Sequence, residues 1–156
     1  MHVKPQEAHH ISVLAGQGEI KRLKSAVQEL AARENVSTAD LLISCKDDFQ
    51  QTAAHIAAKS GQSKSIEALA ELLDTPDKRS AYFNMANRFS GDRPVHTAMR
   101  HGYLDAFKAL VENGADPTVK NRFGDRVVDY PADHYEQDEV HKVVDEYKDK
   151  LDLMTA

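Results

Sequence analysis

The chain has no tryptophan, a single cysteine and only 6% aromatic residues among its 156. Each shortage removes a class of protein. With Cys45 alone no internal disulfide can form, the pattern expected of a reducing cytosol or nucleus. So few aromatics argue against the stacking platforms that hold single-stranded nucleic acid. A formal net charge of −5 argues against a phosphate backbone as partner, because that binding needs a basic face. No run approaches the ~18 apolar residues of a transmembrane helix, so no membrane partner is expected. The opening Met1-His2-Val3-Lys4-Pro5-Gln6-Glu7 lacks the apolar core of a signal peptide. Catalytic signatures are missing as well. Gly16-Gln17-Gly18 lacks the third glycine and the preceding strand of a dinucleotide site, and no H-E-x-x-H, P-loop or G-x-S-x-G occurs. Cys45 has no histidine close to it in sequence. The expectation is a non-enzyme that needs no cofactor and no metal.

What the chain does have is a rhythm. Gly18, Gly61 and Gly102 each close a short helical run, at intervals of 43 and 41 residues, and Gly91 and Gly124 lie 33 apart. After each closing glycine comes an amphipathic stretch. Leu23, Ala26, Val27, Leu30 and Ala31 make one apolar stripe, and Ile66, Leu69, Ala70 and Leu73 make another. In the third unit Pro94 opens a short helix, and Gly114 and Pro117 end the helix that follows Gly102. Asn121-Arg122-Phe123-Gly124-Asp125-Arg126 nearly duplicates Asn87-Arg88-Phe89-Ser90-Gly91-Asp92-Arg93, which has one extra residue. Val140, Val143, Val144 and Tyr147 form a last stripe.

The run Arg93-Pro94-Val95-His96-Thr97-Ala98 resembles the T-P-L-H-x-A signature of the ankyrin-repeat family, whose period is about 33 residues. Pro94, His96 and Ala98 match, Val95 stands for Leu and Arg93 for Thr. The later Gly114-Ala115-Asp116 is typical of the family too. Thr52, His55, Ala57 and Ala58 match in the preceding unit. His9-His10-Ile11-Ser12 is a worn copy, and in the last unit Asp129 replaces the histidine and Pro131 interrupts the inner helix. The resemblance implies an all-α solenoid of stacked helix-turn-helix units with short β-hairpin or loop fingers. It implies one domain, 1–156, with repeats at about 7–35, 47–74, 87–120 and 121–150. Against the family period the first two connections, about 28–46 and 74–88, carry roughly ten and eight extra residues. The first holds Val36, Leu41, Leu42 and Ile43, the second Ala81, Tyr82, Phe83 and Met85. Their apolar content predicts short packed helical turns; the alternative is that they merely widen the spacing between repeats.

By the same resemblance the function is non-catalytic binding of a partner protein through the concave groove and the fingers, by a monomer. Phe49, Phe89 and Phe123 take equivalent places in successive fingers. They either pack on the neighbouring finger or form a contact surface. Lys59, Arg88, Asp92, Arg100, His101, Arg122 and Asp125 fall at fingertip or inner-helix positions that face the groove in this family. His55 and His96 are expected to be neutral hydrogen-bonding struts between turn and helix, not metal ligands. Two narrower readings stay open. Arg93-Pro94-Val95-His96 through Leu104-Asp105 also looks like part of the ankyrin-class inhibitors of cyclin-dependent kinases, though the inserted connections depart from their compact pattern. The acidic stretch 136–146 before Leu151-Asp152-Leu153-Met154-Thr155-Ala156 resembles the tail signals of effectors secreted by intracellular bacteria, which would place the protein in a host cytosol. A charged capping helix with a frayed end accounts for the same residues.

Overall fold

The computed structural model describes residues 1–155; Ala156, the last residue of the expected domain and tail, lies outside the described residues. Among them are nine α-helices, one 3-10 turn and no strand. The inner layer is α1 (Pro5–Gln17), α4 (Ala53–Lys59), α7 (Pro94–Arg100) and the 3-10 turn Val127–Asp129. The outer layer is α2 (Ile20–Glu34), α5 (Ser63–Leu72), α8 (Leu104–Glu112) and α9 (His134–Thr155). Each inner helix packs on its own outer partner and on the inner helix of the next unit, and outer helices pack on outer helices. The result is an all-α solenoid with one continuous apolar core running through it.

The outer helices form because their apolar residues repeat at helical spacing. In α2, Leu23, Val27 and Ala31 are buried at 0, 0 and 3% exposure. Asn35 stops α2 in the left-handed region at φ 56°, its amide bonded to the Ala31 and Ala32 carbonyls. Gly61 makes the tight turn between α4 and α5 at φ 71°, and a Cβ there would come within 2.6 Å of the Tyr103 ring. The turn is thus both a backbone requirement and a seat for the next unit.

The first helix begins earlier than the worn motif at His9 suggests. Pro5 occupies its first turn, and Arg33 at the end of α2 reaches back to Glu7 and to the His2 carbonyl. That contact is tertiary, so local spacing could not reveal it. The Arg33 guanidinium holds the Glu7 carboxyl down at about 2.

Both inserted connections contain a helix. Ser37 caps α3 (Thr38–Ser44) by accepting from the Asp40 amide at 3.0 Å. Thr75-Pro76 follows the end of α5 at Leu72 and starts α6 (Pro76–Phe83). Thr75 is the N-cap, accepting from the Lys78 amide, and Pro76 fills the first position, where a missing N–H costs nothing. Leu41, Leu42, Tyr82 and Phe83 have no exposed surface. The two helices are neighbours: Lys78 on α6 lies 3.8 Å from Asp40 on α3. Asn84, which ends α6, donates to the Gly114 carbonyl at 2.9 Å and accepts from the Asp116 amide at 2.7 Å. So α6 ties the second unit to the loop after α8. At the end of the stack, Val140 and Val144 on α9 are buried against α8 while Leu151, Leu153 and Met154 stand in solvent.

The Tyr82 hydroxyl is fully buried with no partner at hydrogen-bonding geometry. A buried unpaired hydroxyl costs about 1–3 kcal/mol. Tyr82→Phe should therefore leave urea stability unchanged or raise it by about 1 kcal/mol. Tyr82→Ala should lower it by about 3–5 kcal/mol if α6 belongs to the core. A destabilising Phe variant would show that the hydroxyl is bonded. A harmless Ala variant would show that α6 is an appendage.

Candidate functional site

Three fingers precede the inner helices, and each is built on one side chain. The Asp47 Oδ1 accepts from the Phe49 and Gln51 amides, both at 2.9 Å. The Asn87 Oδ1 accepts from the Ser90 and Gly91 amides at 2.9 and 3.0 Å. The Asn121 Oδ1 accepts from the Phe123 and Asp125 amides at 2.9 and 3.0 Å. A short side chain that bonds the backbone ahead of it fixes a turn without a partner strand. One further backbone bond closes each loop: Asp47 to Gln51, Asn87 to Asp92 and Asn121 to Asp125. The fingers are therefore loops, not β-hairpins with strands. In each, a phenylalanine stands two residues after the turn-forming Asp or Asn.

Adjacent tips are also joined. The Arg88 amide donates to the Phe49 carbonyl at 2.6 Å, and the Arg122 amide to the Ser90 carbonyl at 2.9 Å. The three rings stand along this joined row, and they do not fold onto one another. Phe49, Phe89 and Phe123 are 57, 75 and 68% exposed. Phe49 and Phe89 line a shallow cleft with Gln51, Asn87 and Ser90.

Behind the fingers runs a ladder of struts. The His55 Nδ1 accepts from the Thr52 amide at 3.0 Å, and its Nε2–H donates to the Asp92 carbonyl at 2.9 Å in the next finger. His96 repeats the pattern: Nδ1 accepts from the Arg93 amide at 3.0 Å, and Nε2–H donates to the Val119 carbonyl at 3.0 Å. An amide can only donate and a carbonyl only accept, so each ring is neutral with its proton on Nε2. Burial pushes the His55 pKa down from 6.5 to about 4, and burial lowers that of His96 as well. In the last unit Asp129 makes the first half of this contact, its Oδ2 accepting from the Arg126 amide at 2.9 Å.

The expected contact residues divide. Phe49, Phe89, Arg122 and Phe123 stand exposed at the tips, Asp125 is half-buried in the third finger, and Lys59 and His101 are exposed at the ends of α4 and α7. Arg88 is also exposed at its tip. Asp92 is different. It is 5% exposed, and its two carboxylate oxygens accept from Arg100 Nη2 and Asn121 Nδ2, each at 2.9 Å. Arg100 also lies over the Tyr130 ring, 5.3 Å from its centroid. Asp92 thus faces inward and links the third unit to the last. Its place beside the finger made it look like a groove residue, and only packing decides which way a side chain there turns. The residues that sequence reasoning passed over are Asp47, Asn87 and Asn121. Their signal was present, an Asp or Asn two residues before each Phe. His9, Ser12 and Val13 of α1 and Ile56 of α4 line a hollow together with Lys46 and Asp47 at the first finger.

Among the described residues no group of three or more His, Cys, Asp and Glu could hold a metal ion. Burial pushes the Cys45 thiol up to about 11, so it stays protonated at neutral pH. No helix of the described residues is long and apolar enough to cross a membrane.

Stacked helix pairs, joined finger loops and a histidine ladder define a class of repeat protein. A model of ankyrin repeats in three copies matches residues 9–121, and the chain belongs to the ankyrin-repeat family. That family is in general a non-catalytic scaffold for protein interaction. The chain is similar to an ankyrin repeat and LEM domain-containing protein 2 homolog of Caenorhabditis elegans, 28% identical over 109 residues, 57% of this chain and 18% of that protein. It is similar to mouse Synphilin-1, 34% identical over 84 residues, 54% of this chain and 8% of that protein. The chain thus spans under a fifth of the length of these relatives. Among solved structures it is similar to a chain from the crystal structure of the yeast ribosomal protein Rps3 in complex with its chaperone Yar1. There the TM-score is 0.70 at 25% identity, covering 96% of this chain and 95% of that one.

The ladder makes stability depend on pH. A histidine whose folded pKa lies below its unfolded value binds protons more readily in the unfolded chain, so stability rises with pH through that window. For His55 the contribution is complete above 6.5 and is lost as pH falls towards 4. Going from pH 7 to pH 5 should lower unfolding free energy by about 2 kcal/mol from this ring alone. Urea denaturation at the two values checks it; equal midpoints would mean that His55 is not buried neutral.

Proposed function

We propose that this chain is a non-catalytic protein-interaction module that grips one partner protein along its fingertips and concave groove. The observation that carries the reading is the row of Phe49, Phe89 and Phe123, exposed on loops that are hydrogen-bonded within and between fingers. Burying one large apolar side chain stabilises by about 1.5–3 kcal/mol, so three exposed rings forgo a sizeable gain that a partner could recover. Their rigidity means that little ordering entropy would be lost on binding. Lys59 and His101, exposed at the ends of α4 and α7, and the half-buried Asp125 would supply the polar rim of such an interface, with the exposed Arg100 held by Asp92. Similarity to a chain from a complex between a ribosomal protein and its chaperone supports a protein as the partner class. The module acts as a monomer and uses neither metal nor cofactor. Its single, buried cysteine suits the cytosol or nucleus.

Removal of the rings tests this. The tagged protein and a Phe89→Ala/Phe123→Ala variant would be used to capture proteins from lysate of the source cells, with mass spectrometry and circular dichroism of both. The variant should keep the same melting temperature and lose the captured partner, an affinity drop of at least about tenfold, since exposed aromatics make strong hot spots. Undiminished capture by the folded variant would move the interface off the fingers.

A further inference from the structure

The charge on the fingers runs against that of the chain. The chain holds 20 Lys plus Arg against 25 Asp plus Glu. The second and third fingers, with the ends of α7 and the 3-10 turn, reverse the balance. There Arg88, Arg93, Arg100, Lys120, Arg122 and Arg126 meet only Asp92, Asp125 and Asp129. Arg100 is held by Asp92 at 2.9 Å and Arg126 by Asp129 at 3.3 Å. Arg88, Lys120 and Arg122 have no ion-pair partner among the described residues. The second and third tips carry the same exposed pair, Arg88-Phe89 and Arg122-Phe123, one finger apart. The first tip inverts the sign with Asp48-Phe49.

Resting on the fingertip reading above, we propose that the second and third fingers select an extended acidic segment of the partner, with carboxylates facing Arg88 and Arg122 and large apolar side chains lying on Phe89 and Phe123. The guanidinium fork matches a carboxylate in two parallel bonds, and a neighbouring ring supplies apolar contact for the next side chain. The repeat of the pair sets the spacing: one acidic and one apolar residue per finger. The inverted first tip repels the acidic end and gives the segment a direction. Arg and Phe would also suit a nucleic acid, but Asp47, Asp48, Asp125 and Asp129 interleave with the cations, and a phosphate backbone needs a continuous basic face. A protein segment is the occupant the charge pattern favours.

The test is a selection followed by two variants. A phage-displayed library of random peptides is panned on the full chain, and enriched peptides are synthesised and titrated by fluorescence anisotropy. The expected result is enrichment of Asp or Glu alternating with aromatic or large aliphatic residues. Arg88→Glu/Arg122→Glu should weaken these peptides about tenfold or more and should improve binding of copies whose acids are exchanged for Lys. Circular dichroism confirms that both variants fold, the altered side chains being exposed. Enrichment of neutral or basic peptides, or no enrichment, would overturn the proposal. So would displacement of the peptide by polyuridine RNA at lower concentration than by unlabelled peptide. If Phe89→Ala/Phe123→Ala abolishes binding while charge reversal leaves it intact, the acidic preference fails and the fingertip reading survives. If neither variant matters, both fail.

Discussion

A neutral imidazole with one bond backward and one forward is the contact on which the stack depends. In His55 and His96 the ring accepts from the amide that opens its own inner helix and donates forward, His55 to the Asp92 carbonyl of the next finger and His96 to the Val119 carbonyl just before the finger after that. No apolar contact could do this: the helix-opening amides of Thr52 and Arg93 find their acceptor in the ring, and the ring's own N–H finds one in the next unit. The same ring therefore caps a helix, holds a finger and registers one repeat on the next. Where the ladder ends, the chemistry changes. Asp129 accepts from its helix amide as the histidines do, but a carboxylate has no proton to donate forward. The last rung thus caps its turn without reaching for a following finger, and α9 covers the exposed side with Val140 and Val144.

The fingers inherit their rigidity from this arrangement. Asp92 gives its backbone carbonyl to His55 and its carboxylate to Arg100 and Asn121, so the second finger is anchored from both sides. Only with the base held can the tip bonds at Arg88 and Arg122 keep the phenylalanines in a row. The outer layer is reinforced differently. Helices α3 and α6 fill the space that two long connections open, and α6 reaches to the loop after α8 through Asn84. Ankyrin-type repeats are thus kept in contact here although their spacing exceeds the family period.

Much of this was legible in the residues. Apolar stripes at helical spacing gave the outer helices, and Pro94-Val95-His96 marked the best inner one. Leu41, Leu42, Tyr82 and Phe83 gave away packed helices in the connections, because a solvated linker would not carry them. What stayed hidden depended on partners distant in sequence. The start of α1 rests on Arg33, the inward turn of Asp92 on Asn121 and Arg100, and the role of Asp129 on geometry rather than on residue type. Thr75-Pro76 follows the end of α5 and also begins α6, since a dipeptide that cannot continue one helix can cap the next. Exposure of the three phenylalanines was undecidable beforehand, since an aromatic at a fingertip can equally well pack on its neighbour.

The central claim is that the rungs are neutral, Nε2-protonated histidines whose rings link successive repeats. Long-range nitrogen–proton NMR correlation of the histidine rings, recorded from pH 8 to pH 4.5, addresses it directly. The account predicts the Nε2–H tautomer for both His55 and His96, with His55 still neutral at pH 5. Protonation of His55 with a midpoint near 6.5, or the Nδ1–H form at either ring, would contradict it.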